Sequence, residues 1–164
     1  MIYISIGLIY LDSMKKTHYK RRASSKTTMK RKTNLSNEQV KTNVVKVFIE
    51  MLNMIKLYHW KTKSYSQHKA TDDLYGKLNT NIDLFVEILM GKSSRRIYMV
   101  EKCIRLMDIS KFGDFKERIH EHREFLIGLS SIFDAKRDSD LLNVRDEILG
   151  DINQFLYLLS FNKI

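Results

Sequence analysis

Proline is absent from all 164 residues, and glycine occurs only six times. Nothing in the chain therefore forces a helix to break, and few positions are free to adopt the left-handed backbone of tight turns. Cysteine is nearly absent too: Cys103 stands alone, which excludes a disulfide framework and a thiolate metal cluster. No Gly-rich phosphate loop, catalytic-triad signature or internal repeat is found. The only long apolar run is Met1–Leu11, MIYISIGLIYL. It has no basic segment ahead of it and falls short of the roughly 20 residues a membrane span needs, so no transmembrane segment is expected. Met14 directly opens the basic run that follows, so either Met1 or Met14 can serve as the start.

What is present points to long helices. Hydrophobic residues make up 43% and charged residues 29%, the balance of an ordinary folded domain. The net charge of +10 is unevenly placed. Lys15, Lys16, Lys20, Arg21, Arg22, Lys26, Lys30, Arg31 and Lys32 supply +9 without an intervening acid, leaving +1 for everything else. Residues 14–33, rich in Ser and Thr as well, are expected to be disordered when free. A flexible segment of this charge binds phosphates in a salt-sensitive, sequence-independent way.

The chain divides into an N-terminal segment, 1–35, and a helical domain, 36–164. Ser36 and Gln39 form a capping box, after which Val40, Val44, Val47, Phe48, Met51, Ile55 and Tyr58 recur at helical spacing and predict a helix over about 37–61. Ser64 and Gln67 repeat the box. Tyr75, Leu78, Ile82, Phe85 and Leu89 then mark a second helix over about 65–90, with Gly91 as its expected stop. Residues 92–112 read as an extended or short helical crossover. Asp114 and Glu117 predict a cap for a third helix through about Phe133. Leu141, Leu142, Arg145, Ile148, Leu149, Ile152, Phe155, Leu156 and Leu159 outline a fourth. Four amphipathic helices with one long connection between the second and third make an all-α four-helix bundle.

The second helix carries a stripe of potential metal ligands. At about 100° per residue, with His68 at zero, Asp72 falls near 40°, Asp83 near 60° and Glu87 near 100°. Imidazole and carboxylate together suit iron, manganese or zinc. Length then constrains the arrangement. His68 and Glu87 are 19 residues apart, roughly 28 Å along a helix, so one ion cannot touch both. The pairs His68/Asp72 and Asp83/Glu87 can share a site only if they come from two copies of the helix, packed antiparallel about a two-fold axis. Gly76, near the centre of the stripe, costs about 1 kcal/mol relative to alanine, and close helix crossing explains its presence. Asn79 and Thr80 keep the same crossing small. Taken singly, each charge is an ordinary solvated side chain; the pairing on one stripe is what suggests a site.

The sequence His59-Trp60, followed by His68, Asp72, Asp83 and Glu87 at intervals of 4, 11 and 4, resembles the Dps branch, or mini-ferritins, of the ferritin-like superfamily. The final helix, RDEILGDINQFLYLLSF, is similar to that family's last helix, and YHWKTKSYSQHKA looks like uncharacterised ferritin-like proteins of large DNA viruses and phages. The resemblance covers about residues 40–162 and is weakest over 92–112. It implies a ferritin-like bundle whose two-fold dimers, within a larger cage, oxidise Fe(II) with peroxide or oxygen. His59, His68 and Asp72 would come from one subunit, and Asp83 and Glu87 from its mate. It also implies that a lysine-rich N-terminal tail binds DNA. Two departures are plain. The interval from His59 to His68 is shorter than usual for the family, which would draw His59 from the site, and Glu87 precedes Ile88 and Leu89 where a charged residue is common. Trp60 reads as a packing aromatic at the bundle end, and His120, Glu121 and His122 as a solvated face of the third helix. A reducing, intracellular setting is expected, or a virion or host cytoplasm if the viral resemblance holds. The alternative reading is a non-catalytic structural or nucleic-acid-packing protein on the same scaffold.

Overall fold

The computed structural model of the chain describes residues 37–99, 103–104 and 106–161. The basic segment and its nine cations lie outside these residues. Four helices account for most of what is described: α1 (Asn37–Lys61), α2 (Tyr65–Ser93), α3 (Phe112–Gly128) and α4 (Ser139–Leu159), with a single 3₁₀ turn, Leu129–Ser131, after α3. No strand occurs among the described residues, and no helix there is long and apolar enough to cross a membrane.

The helices bury the faces that their periodicity predicts. Val44, Val47, Phe48, Met51, Ile55 and Tyr58 of α1 are buried against Leu78, Ile82, Phe85 and Leu89 of α2 and Leu141, Ile148, Ile152, Phe155 and Leu159 of α4. Aromatic edges lock the centre. Phe48 meets Phe85 at 5.1 Å and Phe125 at 6.2 Å, and Phe85 meets Phe133 at 5.8 Å, all T-shaped, the arrangement that the ring quadrupole favours.

Side-chain pairs give the topology. The α1–α2 connection is only residues 62–64, so these two helices are antiparallel. Lys77 reaches Asp151 at 3.3 Å while Lys92 reaches Asp140 at 2.9 Å, so α4 runs antiparallel to α2. Tyr58 stacks on Phe115 at 3.8 Å, and Phe48 lies opposite Phe125, so α3 runs antiparallel to α1. It follows that α2 and α3 are parallel, and the chain must return the length of the bundle between them. The described residues of the connection, 94–99, 103–104 and 106–111, meet α1 near both of its ends. The Thr42 hydroxyl donates to the Tyr98 carbonyl at 3.5 Å, and Asp108 pairs with Lys61. The stretch of α1 from 42 to 61 rises about 28 Å at 1.5 Å per residue. The Thr42–Tyr98 and Lys61–Asp108 contacts place described residues of the connection at both ends of that stretch. The described residues of the connection contain no helix.

Three expected helix ends differ. The second helix passes through Gly91 and stops at Ser94, the one described non-glycine residue with a positive φ, 52°, whose N–H donates to the Gly91 carbonyl. A glycine in the last turn does not end a helix unless the left-handed residue falls there, and here it falls three residues later. The third helix starts two residues before Asp114. Lys111 is its N-cap without a side-chain bond, and Asp114 occupies the first turn, where its charge faces the positive end of the helix dipole. That helix also ends early, at Gly128. The buried Arg145 guanidinium donates to the Leu126 carbonyl at 2.9 Å and the Ser130 hydroxyl at 2.8 Å. It adds a second donor to one carbonyl in the last turn of α3 and ties that turn to Ser130.

Candidate metal centre

The short α1–α2 connection is built around one amide. The Gln67 side-chain carbonyl accepts from the Tyr58 hydroxyl at 2.7 Å and the Thr62 hydroxyl at 2.8 Å. Ser64 caps α2 by accepting from the Gln67 N–H at 3.4 Å. The predicted reciprocal half of the capping box is replaced, because the Gln67 side chain is held by α1. This knot sets the last turn of α1 directly against the first turns of α2.

The result is a face-to-face pair of histidines. The rings of His59 and His68 lie 3.9 Å apart at 23°. His59 Nδ1 is 3.0 Å from the His68 carbonyl, and His68 Nδ1 is 3.1 Å from the His59 carbonyl. A carbonyl only accepts, so each Nδ1 carries the hydrogen. In each neutral ring the lone pair must then sit on Nε2. Thr71 supports the arrangement: its hydroxyl donates to the Gln67 carbonyl at 2.7 Å and lies 3.3 Å from His59 Nδ1. His59 is buried and His68 half-buried. The shortened interval thus does not separate the two rings; it stacks them.

Asp72 completes a cluster. Its Oδ1 lies 3.8 Å from His59 Nε2 and 3.7 Å from Lys56 Nζ, with the carboxylate half-exposed. A lone-pair nitrogen and a carboxylate oxygen at this separation can share a first-row cation with ordinary bonds of about 2.1 Å. Backbone carbonyls on both Nδ1 atoms are the outer-shell partners that orient ligand imidazoles.

Asp83 and Glu87 are not part of this cluster. Both are exposed on α2, and neither makes an ion pair or hydrogen bond with another described residue. Asp83 lies 11 residues beyond Asp72, about 16 Å along the axis. Among the described residues of one chain, no three His, Cys, Asp or Glu side chains converge to hold an ion. Asp72, Asp83 and Glu87 are exposed on the side of α2 away from the buried Leu74, Leu78, Ile82, Phe85 and Leu89, while His68 flanks the buried stripe, half-covered by His59. Gly76, Asn79 and Thr80 are exposed on the same side, and a Cβ built on Gly76 would meet no atom within 4 Å.

Two expectations fail. Trp60 does not pack at the bundle end: it is 67% exposed, with Lys56 Nζ 5.9 Å from its ring. His122 is not on a solvated face. It is 1% exposed, and neither ring nitrogen has a hydrogen-bond partner among the described residues. Burial, assisted by the nearby Arg118 charge, pushes its pKa down to about 4. The signal was present in the spacing Phe115, Ile119, His122, Leu126, which puts the histidine on the apolar stripe of α3.

An all-helical bundle with a His-His-Asp cluster at one end and a carboxylate pair farther along the same helix is the class that the fold and site define. The chain belongs to DUF5856, a family of unknown function, whose model matches residues 59–159. That match begins at His59, so all five candidate ligands lie within it, while the basic segment and most of α1 lie outside. No curated protein and no solved structure matches the chain.

Proposed function

We propose that the protein is a ferritin-like bundle of the mini-ferritin kind whose substrate is Fe(II), oxidised at sites shared between two subunits. One subunit would contribute His59, His68 and Asp72, and Asp83 and Glu87 would come from the partner subunit. The observation that carries the reading is the reciprocal bonding of the two histidines. With both Nδ1 hydrogens committed to carbonyls, two neutral lone pairs are held in place, and one lies beside a carboxylate. Imidazoles and hard carboxylates accept iron in both oxidation states, the carboxylates favouring Fe(III). In the oxidation, two Fe(II) ions give one electron each to a peroxide, which takes up two protons and leaves as two waters; dioxygen is the other candidate oxidant. The protein's part is to position the ions and control access. Supporting the two-subunit reading, Asp83 and Glu87 have no hydrogen-bond or ion-pair partner among the described residues and share the outward side of α2 with Gly76. The basic segment, residues 14–33, would hold nucleic acid without reading its sequence.

Anaerobic Fe(II) titration of the wild-type chain and of Asp83→Ala tests the reading. Saturable binding in the wild type, lost in the variant, is the expected result. Because Asp83 is exposed and makes no hydrogen bond or ion pair with another described residue, the substitution is expected to leave the fold intact, which circular dichroism of the variant checks. Equal binding by both proteins sinks the shared site, and no binding by either favours the structural or nucleic-acid-packing alternative.

A further inference from the structure

The basic segment joins the bundle at the N-terminal end of α1, and that end is itself cationic. Arg95 and Arg96 follow the C-terminal turn of α2, and Lys136 and Arg137 lie in the turn between α3 and α4. All four are exposed, and none is ion-paired with another described residue. Two contacts bring them to one place. Lys92 Nζ donates to the Arg137 carbonyl at 2.5 Å, joining the end of α2 to the α3–α4 turn. The Tyr98 carbonyl, two residues after Arg96, accepts from Thr42 in the second turn of α1. Local acids are largely engaged: Asp138 and Asp140 pair with Lys92, and Asp134 accepts from the backbone N–H groups of Lys136 and Arg137.

We infer that this end of the bundle is a phosphate-backbone docking surface, on which Arg95, Arg96, Lys136 and Arg137 extend the binding track of the basic segment onto the folded domain. The inference rests on the proposed nucleic-acid binding and assigns it a place on the bundle. Charge complementarity and the point where the segment enters α1 select the occupant. A duplex held by the segment lies against this end, where four further cations meet it. Arginine suits such a surface because its planar fork bonds phosphate oxygens two at a time. It leaves the opposite end, with the histidine cluster, free of nucleic acid.

The test measures binding of the full chain to a mixed-sequence DNA duplex over a range of salt concentrations. The variant Arg95→Gln, Arg96→Gln, Lys136→Gln, Arg137→Gln is compared with wild type. A control of equal charge loss at the other end carries Lys63→Gln, Lys69→Gln, Lys111→Gln and Lys116→Gln. Each phosphate contact contributes about 0.9 to the slope of log affinity against log salt, so loss of four contacts is expected to make the first variant shallower by about 3.6, with the control near wild type. A slope unchanged in the first variant, or reduced equally in both, overturns the docking surface while leaving nucleic-acid binding by the segment intact. Absence of duplex binding by the wild type removes the underlying reading instead. If the wild type associates with phosphatidylserine vesicles but not with duplex, a membrane is the occupant and the inference is wrong.

Discussion

An imidazole sealed among hydrocarbon, as His122 is, must stay neutral while the chain is folded. Its pKa of about 4 in the folded protein lies below the value of about 6.5 expected once the chain unfolds. Above the unfolded value both states are neutral and the residue contributes no pH dependence. As pH falls from there toward 4, the unfolded chain gains a proton that the folded chain refuses, so stability drops, by up to about 3 kcal/mol. Urea unfolding at a series of pH values should show this decline, and His122→Leu should remove most of it. The same substitution should be neutral or stabilising at pH 7, because it replaces two unbonded polar atoms with hydrocarbon. A wild-type stability that is flat over this range would contradict the assignment. His59 and His68 are the opposite case: their Nδ1 atoms are bonded, and only their outer nitrogens remain for chemistry.

At the scale of the helix, two positions separate folding from assembly. Gly76 lies on an outward side of α2 with open space around its missing Cβ. Gly76→Ala should therefore raise the stability of the isolated bundle by about 1 kcal/mol through helix propensity. Gly76→Leu should leave the bundle folded yet abolish dimers in sedimentation experiments, since a large side chain would hold two α2 helices apart. An unchanged dimer in the leucine variant would place the contact elsewhere. Arg145 acts on the next join. Arg145→Met should cost about 1–3 kcal/mol, because it removes the guanidinium that ties the Leu126 carbonyl to the Ser130 hydroxyl; thermal unfolding measures it. These helices were readable as helices because their apolar periods are long and uninterrupted by proline. Their ends were less readable, since termination depends on what meets each end. Gly91 continues α2, and Arg145, from another helix, secures the end of α3.

For the molecule as a whole, the proposed function makes assembly part of the chemistry, because the ligand candidates are too far apart to meet within one chain. A variant carrying His68→Ala and Asp72→Ala keeps the carboxylate pair, and one carrying Asp83→Ala and Glu87→Ala keeps the histidine cluster. Alone, neither should bind Fe(II) saturably. Mixed in equal amounts and allowed to exchange subunits, half the dimers are mixed, and each of these holds one intact site of two. The mixture should therefore recover about a quarter of the wild-type sites by stoichiometric titration, following the symmetry of a two-fold dimer. No recovery after demonstrated exchange would refute a site completed by the partner subunit.

The residue order alone established the four amphipathic stripes, the long connection, the placement of nearly all the basicity before residue 36, and the impossibility of bringing His68 and Glu87 to one ion within a single helix. Each of these depends only on local periodicity, charge and the fixed rise of a helix. Tertiary packing decided what periodicity cannot express. It stacked His59 on His68 because the Gln67 amide draws two helix ends together, and it sent the connection back along α1 because α2 and α3 run parallel. Spacing puts His122 on the apolar stripe of α3, but only packing decided what faces it there, leaving both ring nitrogens without a partner among the described residues.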